Sequence, residues 1–404
     1  MKRVKVVALA LTFTFVLLAF TAQPVAAASR YDSLRSYMTS RYDAVRGGYS
    51  IPGEGVVRIN PTYGAISIMN AVGTLDNRPA PVTIVDVMDF LVSHQMTSGE
   101  EDDPDNVRYG GLSDYLLGPV SNGINYRGLV LWHHLKDQSD IPGTGDYDIN
   151  ATANLLWINR TYTESGGYAS TAEIASEGGD PDLLSTAYAL ASFRILDDLY
   201  PLENALDWIF NETATVDWIE NCKVGGAYKL SPDSTLPSVT ATYAAVLAYT
   251  ALYPAITVPD SSNLHAWLLD RQVLDDDELE FIGGFEEGNG TEVPSLLSTY
   301  FALSAMNMLD TITTANSTAA EAFVLNCQTP EGSFANAPGY STGSLLYSGY
   351  ACQILDFLFD GAMSSLSSQD PFSPGDTGFE WRTYVIIGIL VIVVVLAVLG
   401  VRAD

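Results

Sequence analysis

Positive charge is scarce in this chain. Its 404 residues hold five Lys and fourteen Arg against 48 Asp and Glu, a formal net charge of −29. A surface of that sign repels phosphate backbones and anionic lipid heads, so nucleic acid is excluded as a partner. It suits a soluble, salt-tolerant exterior. Histidine is rare too, with four, which leaves little for a metal centre or a Ser-His-Asp site. Three cysteines occur, Cys222, Cys327 and Cys352. So few in so long a chain exclude a small domain framed by disulfides. Cys327 and Cys352 are left either as a pair in an oxidising exterior or as buried thiols.

Long apolar runs are confined to the two ends. Residues 1–28 carry Lys2, Arg3 and Lys5, then an apolar stretch, then small residues up to Ala27 and Ala28. That order is the order of a secretory signal peptide. Residues 384–401, YVIIGILVIVVVLAVLGV, hold no charge and reach the length of about 17–25 residues that crosses a bilayer. Arg382 and Arg402 flank this run equally, so the positive-inside rule gives no orientation. The signal peptide decides it. Residues 29–360 are expected outside, 361–383 as a Ser/Gly/Pro-rich stalk, 384–401 as a transmembrane helix and 402–404 as a cytoplasmic tail. The expected localisation is the cell membrane, single-pass, with an extracellular body. Asn-x-Ser/Thr triplets at Asn150, Asn159, Asn211, Asn289 and Asn316 make that body a candidate glycoprotein. An acidic, glycosylated exterior on so short an inner tail has an archaeal look.

Between the ends, one phrase recurs. Glycine corners stand at Gly47, Gly110, Gly166, Gly225, Gly283 and Gly332, and a tyrosine follows each by 16 to 22 residues. Those tyrosines are Tyr63, Tyr126, Tyr188, Tyr243, Tyr300 and Tyr350. Before each corner lies an amphipathic run such as VDVMDFLVSHQM, with apolar residues at helical spacing. After it lies a run such as STAYALASFRIL, apolar nearly all round, as in a buried helix. Each unit is therefore one outer, half-wet helix and one inner helix. Glycine supplies the reversal or the close approach at the corner. The aromatic after it (Tyr49, Tyr168, Phe285, Phe334) is placed to plug the gap between units. Six such hairpins can close into a ring.

The pattern of an outer helix ending in Gln, then GGF or GGY, then TxYALxxL resembles the repeat of squalene cyclases and protein prenyltransferase β subunits. FVLNCQTPEGSFANAPG, residues 323–339, is most similar to it. The resemblance covers residues 30–360. It implies an all-α fold of six helical hairpins closed into an α/α toroid, plus the C-terminal transmembrane helix. It does not bring the family's chemistry with it. Where the prenyltransferases place Asp, Cys and His around zinc, this chain has Leu297, Thr299 and Tyr347. Where the cyclases place the DxDDTA acid motif, PDLLSTA keeps Pro181, Asp182, Thr186 and Ala187 but puts Leu184 and Ser185 at the later aspartates. The proton donor is missing, and Asp182 fits an N-cap. The toroid of complement-type proteins needs a GCGEQ-like thioester sequence, which is absent.

Other residues carry less. The acidic loops EEDDPDN (100–106) and LDDDELE (274–280) lack the ligand order of an EF-hand and read as solvated charge. Arg127 and Arg194 lie in inner-helix runs and read as paired structural residues. His133 and His134 fall late in theirs and read as structural. What remains is a cavity whose mouth collects Tyr63, Tyr126, Arg127, Asp182, Tyr188, Tyr243, Tyr300, Tyr347 and Tyr350, with Thr62, Thr186, Thr242 and Thr299 beside them. Such a lining suits apolar, glycan or peptide ligands. The sequence therefore reads as a membrane-anchored, cell-surface recognition or scaffold module. It names no catalytic or metal residue and implies no cofactor. Its partners are the membrane and an extracellular ligand or protein. The alternative is a prenyltransferase- or terpenoid-cyclase-like enzyme with a non-standard active site. A third reading, a polysaccharide-active toroid, needs two acids facing one cleft about 5–10 Å apart.

Overall fold

The computed structural model describes residues 27–97, 107–136, 148–254, 258–275, 277–288 and 293–373. The signal-peptide stretch to 26, the acidic loop 100–106, Asn289, the apolar run 384–401 and the tail lie outside the described residues. Among the described residues no helix is long and apolar enough to cross a membrane.

Helices alternate as the repeat predicts. The outer ones are α1 (Arg30–Thr39), α3 (Ile84–His94), α5 (Ala151–Arg160), α7 (Glu212–Asn221), α9 (Ser261–Leu269) and α11 (Ser317–Asn326). The inner ones are α2 (Ile59–Ala71), α4 (Asn122–Lys136), α6 (Leu183–Leu199), α8 (Val239–Leu252), α10 (Leu296–Met308) and α12 (Leu345–Phe359). Polar residues cap most of them. Thr83, Asn150, Asn211 and Asn316 cap outer helices, and Asp182, Ser238, Ser295 and Ser344 cap inner ones. Each such cap is worth about 1 kcal/mol. Three of the glycosylation triplets, at Asn150, Asn211 and Asn316, are thus helix caps.

Each inner helix packs on the next, α2 on α4, α4 on α6, α6 on α8, α8 on α10 and α10 on α12, and α12 returns to α2. The ring is closed. Because these helices touch neighbours on both flanks and outer helices behind, their apolar faces are buried all round, as their composition requires.

The corners explain the glycines. A Cβ on Gly110 would lie 1.8 Å from the Ala153 carbonyl oxygen in the first turn of α5. At the last corner a Cβ on Gly332 would lie 2.6 Å from the Ser33 carbonyl oxygen of α1. Each corner therefore rests on the outer helix of the following unit, and the sixth rests on the first. The aromatic after each corner is buried as expected: Tyr49, Tyr168, Phe285 and Phe334 are all at 0% exposure.

Local structure departs from expectation at three places. The corners form short antiparallel ladders, β1 (Tyr42–Asp43), β2 (Gly48–Ser50) and β3 (Val57–Arg58) in one sheet and β4 (Lys223–Val224) with β5 (Ala227–Tyr228) in another. The aromatic must bond its backbone across the corner to be buried, and a bridge does that. The fourth outer run, 203–219, breaks into a 3-10 turn at Ala205–Trp208 and α7, because Asn211 caps a new helix. The stalk expected from 361 begins inside the body. Ala362 and Leu366 are fully buried, Ser29 bridges Gln369, and the Asp370 amide donates to the Ala28 carbonyl at 3.0 Å.

Candidate active site in the toroid lumen

The threonines beside the tyrosines are not at the mouth. Thr62, Thr186, Thr242 and Thr299 are at 0% exposure. Each hydroxyl accepts the backbone N–H of its unit's corner aromatic: Tyr49 to Thr62 at 3.0 Å, Tyr168 to Thr186 at 3.0 Å, Tyr228 to Thr242 at 3.1 Å and Phe285 to Thr299 at 3.0 Å. Asn125 and Ser348 do the same for Leu112 and Phe334. The hydroxyl is one half of a corner lock, and its position just before the tyrosine follows from that. Buried backbone donors must be paired.

The tyrosines do converge. Tyr300 and Tyr350 stack at 4.2 Å between centroids, and Tyr126 and Tyr188 at 4.8 Å. Tyr63 meets Tyr350 edge-on at 6.5 Å, and Tyr243 lies 6.5 Å from Tyr300. Tyr126 is the most open of the six; the other five are buried. Burial pushes the phenols of Tyr126, Tyr188, Tyr243, Tyr300 and Tyr350 upward, so they stay protonated. Two residues that sequence reasoning missed join them. Gln353 accepts from the Tyr300 hydroxyl at 3.1 Å and donates to that of Tyr63 at 3.4 Å. Phe301 stacks on Tyr243 at 4.6 Å. The signal for Gln353 was a lone amide one helical turn after Tyr350.

Arg127 stands in this ring. Its guanidinium donates to Asn60 Oδ1 at 3.1 Å, to the Tyr350 hydroxyl at 3.2 Å and to the Gly123 carbonyl at 3.4 Å. It also lies 5.8 Å from the Tyr188 ring centre. These partners are neutral. Burial opposes the charge and the neighbouring Tyr350 and Tyr188 favour it, and the guanidinium stays protonated. The expected structural ion pair is therefore not what fixes Arg127. Arg194 does fit that expectation, bonding the Ala251 carbonyl at 3.0 Å and lying 3.6 Å from Asp197.

Asp182 is a cap. One carboxylate oxygen accepts the Ser185 amide at 2.8 Å and the other the Ser185 hydroxyl at 2.6 Å. Leu184, Leu297, Leu346 and Tyr347 occupy first turns of inner helices and are partly open. Three of these four side chains are leucines, so the first turns of the inner helices present an apolar edge. Among the described residues no group of three or more His, Cys, Asp or Glu side chains is placed to hold a metal ion. Cys222, Cys327 and Cys352 are free and buried, so the pairing of Cys327 with Cys352 does not form.

The prenyltransferase alpha-alpha toroid domain model matches residues 181–368. That match, over a little under half of the chain, agrees with the closed ring of helical hairpins. Solved structures of the same architecture include a point variant of the type II terpene cyclase MstE from Scytonema, at 12% identity over 83% of this chain and 96% of that one, with a TM-score of 0.51. Unsubstituted MstE aligns at 13% identity over 83% and 97%, with a TM-score of 0.48. Candida albicans protein geranylgeranyltransferase-I, complexed with GGPP, aligns at 16% identity over 90% and 89%, with a TM-score of 0.37. No curated protein matches by sequence. At 12% identity the likeness to the MstE variant is one of fold, and chemistry has to be argued from the site.

Proposed function

We propose that the lumen takes an isoprenoid-type ligand, an apolar chain with an anionic head, and that the chain is a prenyltransferase- or terpenoid-cyclase-like enzyme with a non-standard active site. The observation that carries this is Arg127, a partly buried cation whose partners are Asn60, Tyr350, Gly123 and the Tyr188 ring, all neutral. A buried charge without a counter-charge is costly, and an anionic head beside it removes that cost. The match to the prenyltransferase alpha-alpha toroid domain supports the enzyme reading over a scaffold role.

The roles follow from the residue types present. Arg127 and the Tyr350 hydroxyl hold a diphosphate head by charge-assisted hydrogen bonds. The carbon–oxygen bond breaks heterolytically, and the electron pair leaves with the phosphate oxygen. The allylic cation left behind lies against tyrosine faces, whose quadrupole attracts it. It is then consumed by a nucleophile or by loss of a proton. This start needs neither the cyclase acid motif nor a zinc thiolate. The leucines at 184 and 297 keep water from the mouth. The toroid itself is placed by this reading on the outer side of a membrane, carried by the run 384–401.

The test is incubation of the purified chain with geranylgeranyl diphosphate, following diphosphate release and retention of the intact lipid. Release that Arg127→Gln abolishes supports an enzyme. Retention without release returns the chain to a recognition module. Neither retention nor release, with nothing held from a lipid extract, overturns the isoprenoid reading.

A further inference from the structure

The loop after each corner fastens onto the inner helix before it. Two residues beyond the corner position, a backbone carbonyl accepts the first amide of the preceding inner helix. The Asp114 carbonyl takes the Ile59 amide of α2 at 2.9 Å, and the Asn336 carbonyl takes the Leu296 amide of α10 at 2.6 Å. The first amides of α4, α6 and α8 are held in the same way at 2.8–2.9 Å. Five such clasps ring the mouth.

The sixth is open. By the same spacing Ile51, two residues after Tyr49, is the partner for Leu345 at the start of α12. The Ile51 carbonyl instead accepts the Glu54 amide at 3.1 Å. This is the turn that Pro52 and Gly53 favour, with Gly53 at φ +78°. Among the described residues the Leu345 amide has no hydrogen-bond partner, although Leu345 is 2% exposed. An amide left unpaired in a buried residue is costly. The open clasp stands at the seam between α12 and α2, from which Asn60 and Tyr350 reach Arg127.

Little holds the loop in its turn. Residues 51–56 are exposed throughout. Glu54 meets Arg58 at 2.7 Å, and the Gly55 carbonyl accepts from Arg46 at 2.6 Å. Exposed pairs of this kind add little. If the Ile51 carbonyl changes partner, the Glu54 amide that it leaves is on an exposed residue, where water replaces the bond.

We propose that residues 51–56 are a strap with two positions. One is the Pro52–Gly53 turn, which leaves the rim open at the seam. The other is the sixth clasp, in which the Ile51 carbonyl takes the Leu345 amide and the loop covers Leu346, which is now partly open. The strap controls entry to the lumen between α12 and α2. It does not rest on the isoprenoid reading.

Gly53→Ala tests the exchange, because a Cβ there meets nothing within 4 Å but strains the left-handed turn. Gly55→Ala, with equally open space and no left-handed backbone, is the control. Hydrogen exchange of the full chain in detergent micelles is read residue by residue by mass spectrometry. The Leu345 amide is expected to exchange at least tenfold faster than the first amides of α2, α4, α6, α8 and α10. Gly53→Ala should slow Leu345 and speed Glu54, each about fivefold, as the turn gives way to the clasp. Gly55→Ala should change neither. Leu346→Cys reports the cover, since the three native thiols are buried. Maleimide should alkylate it about fivefold more slowly when Gly53→Ala is added. A Leu345 amide as slow as its five counterparts overturns the strap. So does Gly53→Ala that leaves Leu345 and Glu54 unchanged or moves them together, or that leaves the alkylation rate at position 346 unchanged.

Discussion

Gly349 on α12 rests directly on Gly64 of α2: a Cβ on Gly349 would stand 2.8 Å from the Gly64 Cα, and one on Gly64 would stand 2.1 Å from the Leu345 carbonyl oxygen. This is the seam where the last inner helix meets the first, and it admits no methyl group. Gly64→Ala must push two packed helices apart. The expected loss is about 2–3 kcal/mol, the scale of an overpacked core. Gly55 has open space around it, so Gly55→Ala is the control and should be near neutral. Urea denaturation reads both. An unchanged midpoint for Gly64→Ala would mean that the seam is not closed.

Thr186 tests the corner lock. Its hydroxyl accepts the Tyr168 amide at 3.0 Å and donates to the Asp182 carbonyl at 2.9 Å. Thr186→Val keeps the shape and strands a buried N–H, a loss of about 1–3 kcal/mol. Thr186→Ser keeps the oxygen and should retain most of the stability. Equal losses for the two variants would show that packing, and not the hydrogen bond, explains the threonine.

The ring of hairpins was legible because its causes are periodic. The corner glycines, the corner aromatics and the inner apolar runs each repeat, and each has one physical reason. The threonines were seen but misplaced. A hydroxyl beside a luminal tyrosine reads as a ligand group until the partner, a backbone amide 14 residues earlier in the case of Phe285 and Thr299, is known. Gln95 and Gln272 were legible only as a letter in the repeat. In the fold each amide side chain spans from its own corner to the next outer helix, Gln95 reaching the Gly110 and Asn150 carbonyls and Gln272 those of Gly283 and Asn316. The neutral company of Arg127 could not be read at all, because Asn60 and Tyr350 reach it from α2 and α12, across the seam.

Replacing Arg127 separates binding from stability. Arg127→Met removes a partly buried cation whose hydrogen-bond partners are neutral and leaves an apolar side chain in its place. Folding stability is expected to hold or to rise by about 1–3 kcal/mol. Affinity for geranylgeranyl diphosphate should fall at least about 30-fold, since a charge-assisted hydrogen bond to an anion is worth about 2 kcal/mol or more. Thermal melts with and without the ligand measure both. A variant that loses stability and keeps affinity would assign Arg127 to the frame of the ring.

The cysteines offer a chemical readout of the buried state. Burial raises all three thiols, Cys222 to about 12 and Cys327 and Cys352 further. Since the thiolate is the reactive form, none should react with maleimide at about pH 8 while the ring is folded. Three additions are expected after denaturation without reductant, because Cys327 and Cys352 are not joined. Mass spectrometry counts them. A single addition after denaturation would reveal a disulfide.

Acid should loosen the outer wall through His94. Burial lowers its pKa below the ordinary 6.5, the Phe90 carbonyl and Asp114 opposing only in part. The unfolded chain then binds a proton that the folded chain refuses, so stability rises with pH in this window. The contribution is present above about 6.5 and is lost as pH falls towards the folded value. Asp89 and Asp356, both raised by burial, act with the opposite sign near the carboxylate range and mask the effect lower down. His134, also lowered by burial and by His133, adds to it. The difference between the chain and His94→Gln isolates one residue. Urea midpoints from pH 7.5 to 5.5 should fall more steeply in the unsubstituted chain than in the variant. Parallel slopes would mean that His94 takes up its proton without disturbing the wall, and that its ring is less enclosed than its burial implies.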